Sequence, residues 1–258
     1  MKKVLLSLLL LLVPAASALA NAGITLPPTT PPFNFTQDDF KGLSRELGLA
    51  ISYVPLAPAE PLGGTVLPGF DIGVEATGVL LNTDNPYWQK INAFNKSTGS
   101  DTIPSTLPEA KVHVQVGLPV IPIDVGFVYG EAQNTDIKFA GGEVKWAILR
   151  GSVATPALAL RGAYTKLSGV SDLDLSTASA DISISKGFAV FTPYAGYGMV
   201  WIDSKPKSTL NPTLQEENLY ESKGFLGCKI TFFPLLNMVA EADFARVNSY
   251  SLRLNLHF

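Results

Sequence analysis

The 258 residues carry 19 Lys and Arg against 22 Asp and Glu, a formal charge of −3, with 47% hydrophobic residues. That balance argues against nucleic acid or an anionic membrane surface as a partner held by charge. Cys228 is the only cysteine, which excludes an intramolecular disulfide, and two histidines without further thiols make a poor zinc site.

The chain opens with Lys2 and Lys3, an apolar run from Val4 to Val13 broken only by Ser7, and small residues up to Ala20. A run of about ten is too short to cross a bilayer as a helix, which takes about 20 residues. It reads as a signal peptide over residues 1–20, cleaved after 20 or 22, since Ala18-Leu19-Ala20 and Ala20-Asn21-Ala22 both fit a small-x-small site. Without Lys2 and Lys3 the charge becomes about −5, from 17 basic and 22 acidic residues. An exported protein is expected.

Residues 21–69 are rich in proline, including Pro27, Pro28, Pro31, Pro32, Pro55, Pro58, Pro61 and Pro68. Thr36-Gln-Asp-Asp39 has the form of a capping box with Asp in its last place, and Phe40, Leu43 and Leu47 follow at helical spacing. A short helix over 37–47 is predicted. Asp38-Asp39 then favours the helix dipole rather than a metal. Leu49–Val54 reads as a short strand, and Pro58-Ala-Glu-Pro-Leu-Gly63 as a turn. The segment as a whole is open to three readings: a periplasmic extension, a plug inside a lumen, or extra strands.

From Phe70 onward apolar residues recur at every second position, the period of a strand with one oily face. Phe70, Ile72, Val74 and Ala76 alternate with Asp71, Gly73 and Glu75. Ala110 to Leu118 alternate with Lys111, His113 and Gln115, and Ile123 to Tyr129 with Asp124. Val144 and Trp146 alternate with Glu143 and Lys145, and Leu160 faces away from Arg161. Ile182 and Ile184 oppose Asp181 and Ser183. Leu226, Cys228 and Ile230 oppose Lys229, while Ala240 and Ala242 oppose Glu241 and Asp243. The stretch Tyr194–Asp203 is extended and Gly-rich, without a clear inner face. Pro119 with Pro122, Pro156, Pro193 and Pro234 mark every second connection. Between the first two strands lies a long connection, 82–108, carrying Tyr87, Trp88 and Phe94.

The last stretch alternates strictly: Tyr250, Leu252, Leu254, Leu256 and Phe258 on one face, Ser251, Arg253, Asn255 and His257 on the other. A terminal amphipathic strand ending in Phe resembles the closing strand of bacterial outer-membrane β-barrels, where it is also the assembly signal. Oily faces almost free of charge, predicted strands of about 9–12 residues and aromatics near strand ends fit a membrane span. Those aromatics are Tyr129, Tyr164, Phe188, Tyr194, Phe232, Tyr250 and Phe258. The fold class expected is all-β: a closed antiparallel transmembrane barrel of about ten strands, or twelve if the N-terminal segment adds two. With Phe258 in the periplasm, strand parity sorts the Pro turns to that side and the two longest connections outside.

Pro58–Gly63, Gly69-Phe-Asp-Ile-Gly73, Ala154-Thr-Pro-Ala-Leu-Ala-Leu-Arg-Gly162 and Ser185-Lys-Gly-Phe188 resemble stretches of an uncharacterised proteobacterial outer-membrane β-barrel family. The resemblance covers most of the mature chain and brings no catalytic residue.

No phosphate loop, nucleophile elbow or metal-ligand run is present, and no cofactor is implied. His113 in mid-strand and His257 at the rim read as lumen lining rather than as acid–base catalysts. The lumen-lining set is Asp71, Glu75, Lys111, His113, Asp124, Glu143, Lys145, Arg161, Glu241, Asp243 and Arg253. In a narrow barrel such a set of mixed sign forms either a cross-linked plugged interior or a narrow polar pathway. The function expected is therefore a non-enzymatic outer-membrane barrel, a narrow channel or uptake protein for a small solute. The alternative is a plugged structural or surface barrel that binds through 82–108. Outer-membrane lipid, the barrel-assembly machinery and a small solute are the expected partners.

Overall fold

The computed structural model describes residues 22–258 except 65, 153 and 234. The expected signal peptide and the expected turn at Pro234 lie outside the described residues. Ten strands follow in chain order: β1 (Gly69–Leu80), β2 (Thr106–Gly117), β3 (Ile123–Ala132), β4 (Lys138–Leu149), β5 (Ala157–Ser168), β6 (Leu173–Ser185), β7 (Phe191–Pro206), β8 (Glu217–Phe233), β9 (Leu236–Phe244) and β10 (Asn248–His257). Each pairs antiparallel with the next, and β1 pairs with β10 from Asp71↔His257 to Leu80↔Asn248, so the sheet closes. Phe70 and Phe258 finish the seam. Each backbone N–H donates to the other's carbonyl, at 2.7 and 3.0 Å, and the rings stack at 6.0 Å. Among the described residues the N-terminal segment adds no strand, so the barrel has ten strands and not twelve.

The period-2 pattern explains why the sheet closes. Ile72, Val114, Phe127, Val144, Trp146, Leu160, Ile184, Leu226 and Leu252 all stand on the outside, each 39–55% exposed. In water such a wall would aggregate; in hydrocarbon it is at home, and only a closed sheet leaves no backbone group unpaired there. This is a transmembrane β-barrel with two short helices.

The inner face has two zones. Towards one mouth the inward positions are apolar, with Val79, Leu107, Phe139, Leu167, Leu175, Val200, Ile202 and Leu219 all buried. Further in they turn polar and charged. The helices α1 (Gln37–Ile51) and α2 (Pro86–Thr98) fill the apolar zone. Thr36 caps α1 as the sequence predicts, its hydroxyl accepting from Asp39 N–H while the Asp39 carboxylate accepts from Thr36 N–H. However, α1 runs through Leu49–Ile51, where a strand was expected. Leu43, Leu47 and Ile51 continue one apolar stripe, which docks on Ile202 and its neighbours.

The long connection 82–108 also differs from expectation, because it contains α2. Pro86 opens that helix where its missing N–H costs nothing, and Gly99 at φ 79 ends it. Pro193 is not in a turn either. It lies on the outer face of β7 opposite Cys228, near the strand end, and the connection is 186–190.

The N-terminal segment starts at the helical mouth. Ala22 bridges to Thr135, and Leu26 N–H donates to Asp172 while its carbonyl accepts from Asn211. After α1, residues 52–62 run along the lumen to the other end, bending at several points, with Leu56 left-handed at φ 45. There the chain passes over the bases of β1 and β2 at glycines. A Cβ on Gly117 would lie 2.1 Å from Gly63 N, and one on Gly69 would lie 2.2 Å from the Leu62 carbonyl. Only glycine permits so close a backbone approach.

The lumen wall and the strap that crosses it

The eleven lumen-lining candidates all face inward, each at most 5% exposed. What brings them together is the strap, residues 52–62. Its Pro55, Pro58 and Pro61 lack an N–H and no strand pairs with it, so wall side chains must satisfy its backbone. Lys223 donates to the Tyr53 carbonyl at 2.6 Å and reaches Asp243 at 3.5 Å. Glu241 accepts from Leu56 N–H at 2.9 Å. Arg253 donates to the Leu56 carbonyl, Ser185 accepts from Ala59 N–H, and Lys145 donates to the carbonyls of Pro58 and Glu60. Both oxygens of Asp124 accept from Leu62 N–H, and Lys145 sits 2.9 Å from Asp124. Apart from Ser185, acids hold the donors and bases hold the acceptors of the crossing. Hydrogen bonds to charged groups contribute about 1.5–3 kcal/mol each.

The remaining candidates brace the wall. Arg253 spans the seam from β10 to β1, bonded to Asp71 and 3.6 Å from Glu75, and Asn255 donates to Asp71 as well. Glu143 meets Arg161 at 2.9 Å and accepts from Gln115. Lys111 lies 3.1 Å from Glu109. His113 joins wall to strap: Nδ1 is 2.6 Å from Glu75, and Nε2 is 2.6 Å from the Tyr53 hydroxyl. Nδ1–H donating to Glu75 leaves Nε2 to accept from Tyr53. The three groups have the composition of an acid–base relay; His113 is fully buried and ties the wall to the strap through Tyr53. His257 is half-buried at the rim, and Cys228 lies on the outer face.

Several wall residues escaped the sequence reading. Glu109 and Lys223 lie on the inner faces of strands that run farther than the alternation suggested, β8 reaching 17 residues. Stepping back by twos from Lys111, or from Lys229, finds them. Tyr194 was expected in the outer aromatic belt but faces inward, its hydroxyl donating to Glu241 at 2.6 Å. Gly196 and Gly198, which follow it, hid the inner face.

Tyr87, Trp88 and Phe94, expected on a binding loop, stand on α2 instead, with Trp88 buried and Tyr87 and Phe94 half-buried. Trp88 is fully buried and its Nε1 donates to Glu46 at 2.7 Å, while the Tyr87 hydroxyl donates to the same carboxylate at 2.6 Å. Phe94 packs edge-on against Phe33, 5.1 Å between ring centres. Burial, and then Glu46, pushes the Tyr87 phenol above its ordinary value. The helices are thus a core at the mouth rather than a free loop.

Asp39 sits at the rim of this cap. Burial pushes its carboxyl up, but Lys90 at 2.6 Å and the Thr36 backbone and hydroxyl outweigh it and hold it below 3.8. A depressed acid stabilises docking fully above its unfolded pKa, and that contribution is lost as pH falls through the folded value. Protection of the α1 amides against hydrogen exchange, relative to their intrinsic rates at each pH, should therefore be unchanged from pH 7 to 5 and fall below about pH 4. In Asp39→Asn that acid-dependent loss of protection should be smaller.

No protein-family model matches the chain, and no curated protein matches it. Among solved structures it is similar to the N-terminal β-barrel domain of Pseudomonas aeruginosa OprF, at 11% identity over 73% of this chain and 97% of that one, TM-score 0.36. It is similar to KdgM porin at 8% identity, over 72% and 99%, TM-score 0.35. Acinetobacter baumannii Omp33 shows 6% identity over 76% and 100%, TM-score 0.34. Likeness this slight transfers no residue's role.

Proposed function

We propose that this chain is an integral outer-membrane barrel that its own N-terminal segment keeps closed, acting through its capped mouth and its lipid-facing wall rather than as an open pore. The observation that carries this reading is that the strap is anchored at opposite ends of the barrel. At one end it continues α1, whose Phe40, Leu43, Leu47 and Ile51 are fully buried in the cap; at the other it continues β1. A segment tied at both ends cannot swing out of the lumen unless the cap undocks. The mixed-charge wall supports a second reading, a narrow pathway for a small solute, in which cap and strap withdraw together.

In this reading the helical mouth faces outside and Phe258 faces the periplasm. A Cys228→Ser background carrying Lys41→Cys should be labelled on intact cells by an impermeant thiol reagent. Leu67→Cys, exposed at the other end, should label only after the outer membrane is permeabilised. The reverse pattern contradicts the orientation.

Tyr250, Leu252, Leu254, Leu256 and Phe258 are proposed as the signal read by the barrel-assembly machinery. Removing Phe258 also removes the last backbone pair of the seam. The folded, membrane-inserted fraction should fall several-fold on heat-modifiability gels, and an unchanged fraction would count against the signal.

A further inference from the structure

Residue 56 of the strap is held in a way that its place in the chain does not require. Leu56 stands in the left-handed region at φ 45, a conformation that costs a leucine strain. It is 1% exposed, and the wall takes hold of each of its parts. Its N–H donates to Glu241 Oε2 at 2.9 Å, and its carbonyl accepts from Arg253 Nη1 at 3.5 Å. Its side chain belongs to a buried apolar cluster with Val54 of the strap and Tyr194, Phe225 and Val239 of the wall. An acid for the nitrogen, a guanidinium for the carbonyl carbon's oxygen and an apolar lining for the side chain are what a free amino acid asks of a site.

The strap satisfies that wall incompletely. Glu241 is 4% exposed and in no ion pair among the described residues. Lys223 and Arg161 act on it from farther away, but Lys223 is engaged with Asp243 at 3.5 Å and Arg161 with Glu143 at 2.9 Å. Oε2 of Glu241 accepts from Leu56 N–H and from the Tyr194 hydroxyl, while Oε1 has no hydrogen-bond partner among the described residues. A peptide nitrogen offers one N–H; an ammonium offers three and a charge. A neutral carbonyl likewise takes a long bond from Arg253, where a carboxylate would draw a shorter, charge-assisted one. A cavity of about 80 Å³ adjoins Leu56, lined also by Val239, Arg253 and Asn255, and reaches His257 at the rim.

We infer that the place held by Leu56 is a lumen site for a free, zwitterionic α-amino acid with an aliphatic side chain. The ammonium takes Glu241, the carboxylate takes Arg253, and the side chain enters the cluster of Tyr194, Phe225 and Val239. Leu56 is the strap's own stand-in for that solute, and a free amino acid fills the site without the backbone strain. The inference rests on reading the mixed-charge lumen as a pathway for a small solute, and it names the class of that solute.

The test is equilibrium dialysis of the full-length protein, folded in a neutral detergent, against labelled L-leucine. In the native chain the strap fills the site, and little leucine should be retained. Leu56→Pro has no N–H for Glu241 and cannot adopt a φ of 45, so it empties the site. It should retain labelled leucine, and unlabelled leucine should compete at least about tenfold better than isopentylamine or isocaproate, the scale of one hydrogen bond to a charged group. Each of those competitors lacks one charged end. Adding Glu241→Gln should lower retention by a similar factor. If Leu56→Pro does not fold, full-length Trp88→Ala, which loosens the cap that holds the strap, should retain leucine with the same order of competitors. No retention by either variant, native retention equal to theirs, or equal competition by all three compounds would overturn the site. Retention without leucine entry into vesicles that carry full-length Trp88→Ala would overturn the pathway reading and leave the site.

Discussion

Replacing Arg253 by alanine is expected to cost about 3–5 kcal/mol of folding stability, the range for removing one partner of a buried ion pair. Arg253 is 1% exposed, and it is the cation nearest to both Asp71 and Glu75 across the β1–β10 seam. Its loss leaves carboxylates facing the seam with less compensation, and leaves the Leu56 carbonyl without that donor. Arg253→Lys should recover only part of the loss, because one ammonium cannot imitate a planar fork that reaches β1 and the strap together. Urea unfolding followed by heat-modifiable mobility measures both. A loss below about 1 kcal/mol would place the pair among those of surface weight, contrary to its burial.

The second large effect falls on the cap. Trp88→Ala should cost about 3–5 kcal/mol, the range for deleting a buried large aromatic. It also removes the Nε1–H that Glu46 accepts, a carboxylate buried on the inner side of α1. Trp88→Phe should lose less, because it refills most of the volume while still depriving Glu46 of its donor. The change should be local. Protease should cut within 82–105 in Trp88→Ala at concentrations that spare the native chain, while the barrel stays heat-modifiable. If the variant is as resistant as the native protein, the cap does not depend on this core.

The barrel was legible because it is periodic. Strict alternation ending at Phe258 identified strands, faces and seam, and the inward residues Asp71, Lys145 and Arg161 could be named from spacing alone. The path of residues 52–62 could not. Polar groups on one face of a strand look the same whether they line water or hold a chain, and the prolines that suit a strap also suit a loop. The second helix was legible in retrospect, from Pro86, the Trp88–Ile91–Asn95 face and Gly99, but its aromatics look alike whether they serve a core or a binding surface. Glycine blurred the rest. At Gly196 and Gly198 it erased the alternation that would have turned Tyr194 inward, and at Gly63, Gly69 and Gly117 it marked a backbone crossing that only a third dimension reveals.

The closed lumen is tested most directly by single-channel recording in planar bilayers, comparing the full chain with a variant lacking residues 23–63. The account predicts a full chain that inserts and gives no stable current, and a deletion variant that, once inserted, conducts through the vacated lumen. A full chain that conducts steadily, at the same level as the deletion variant, would contradict it.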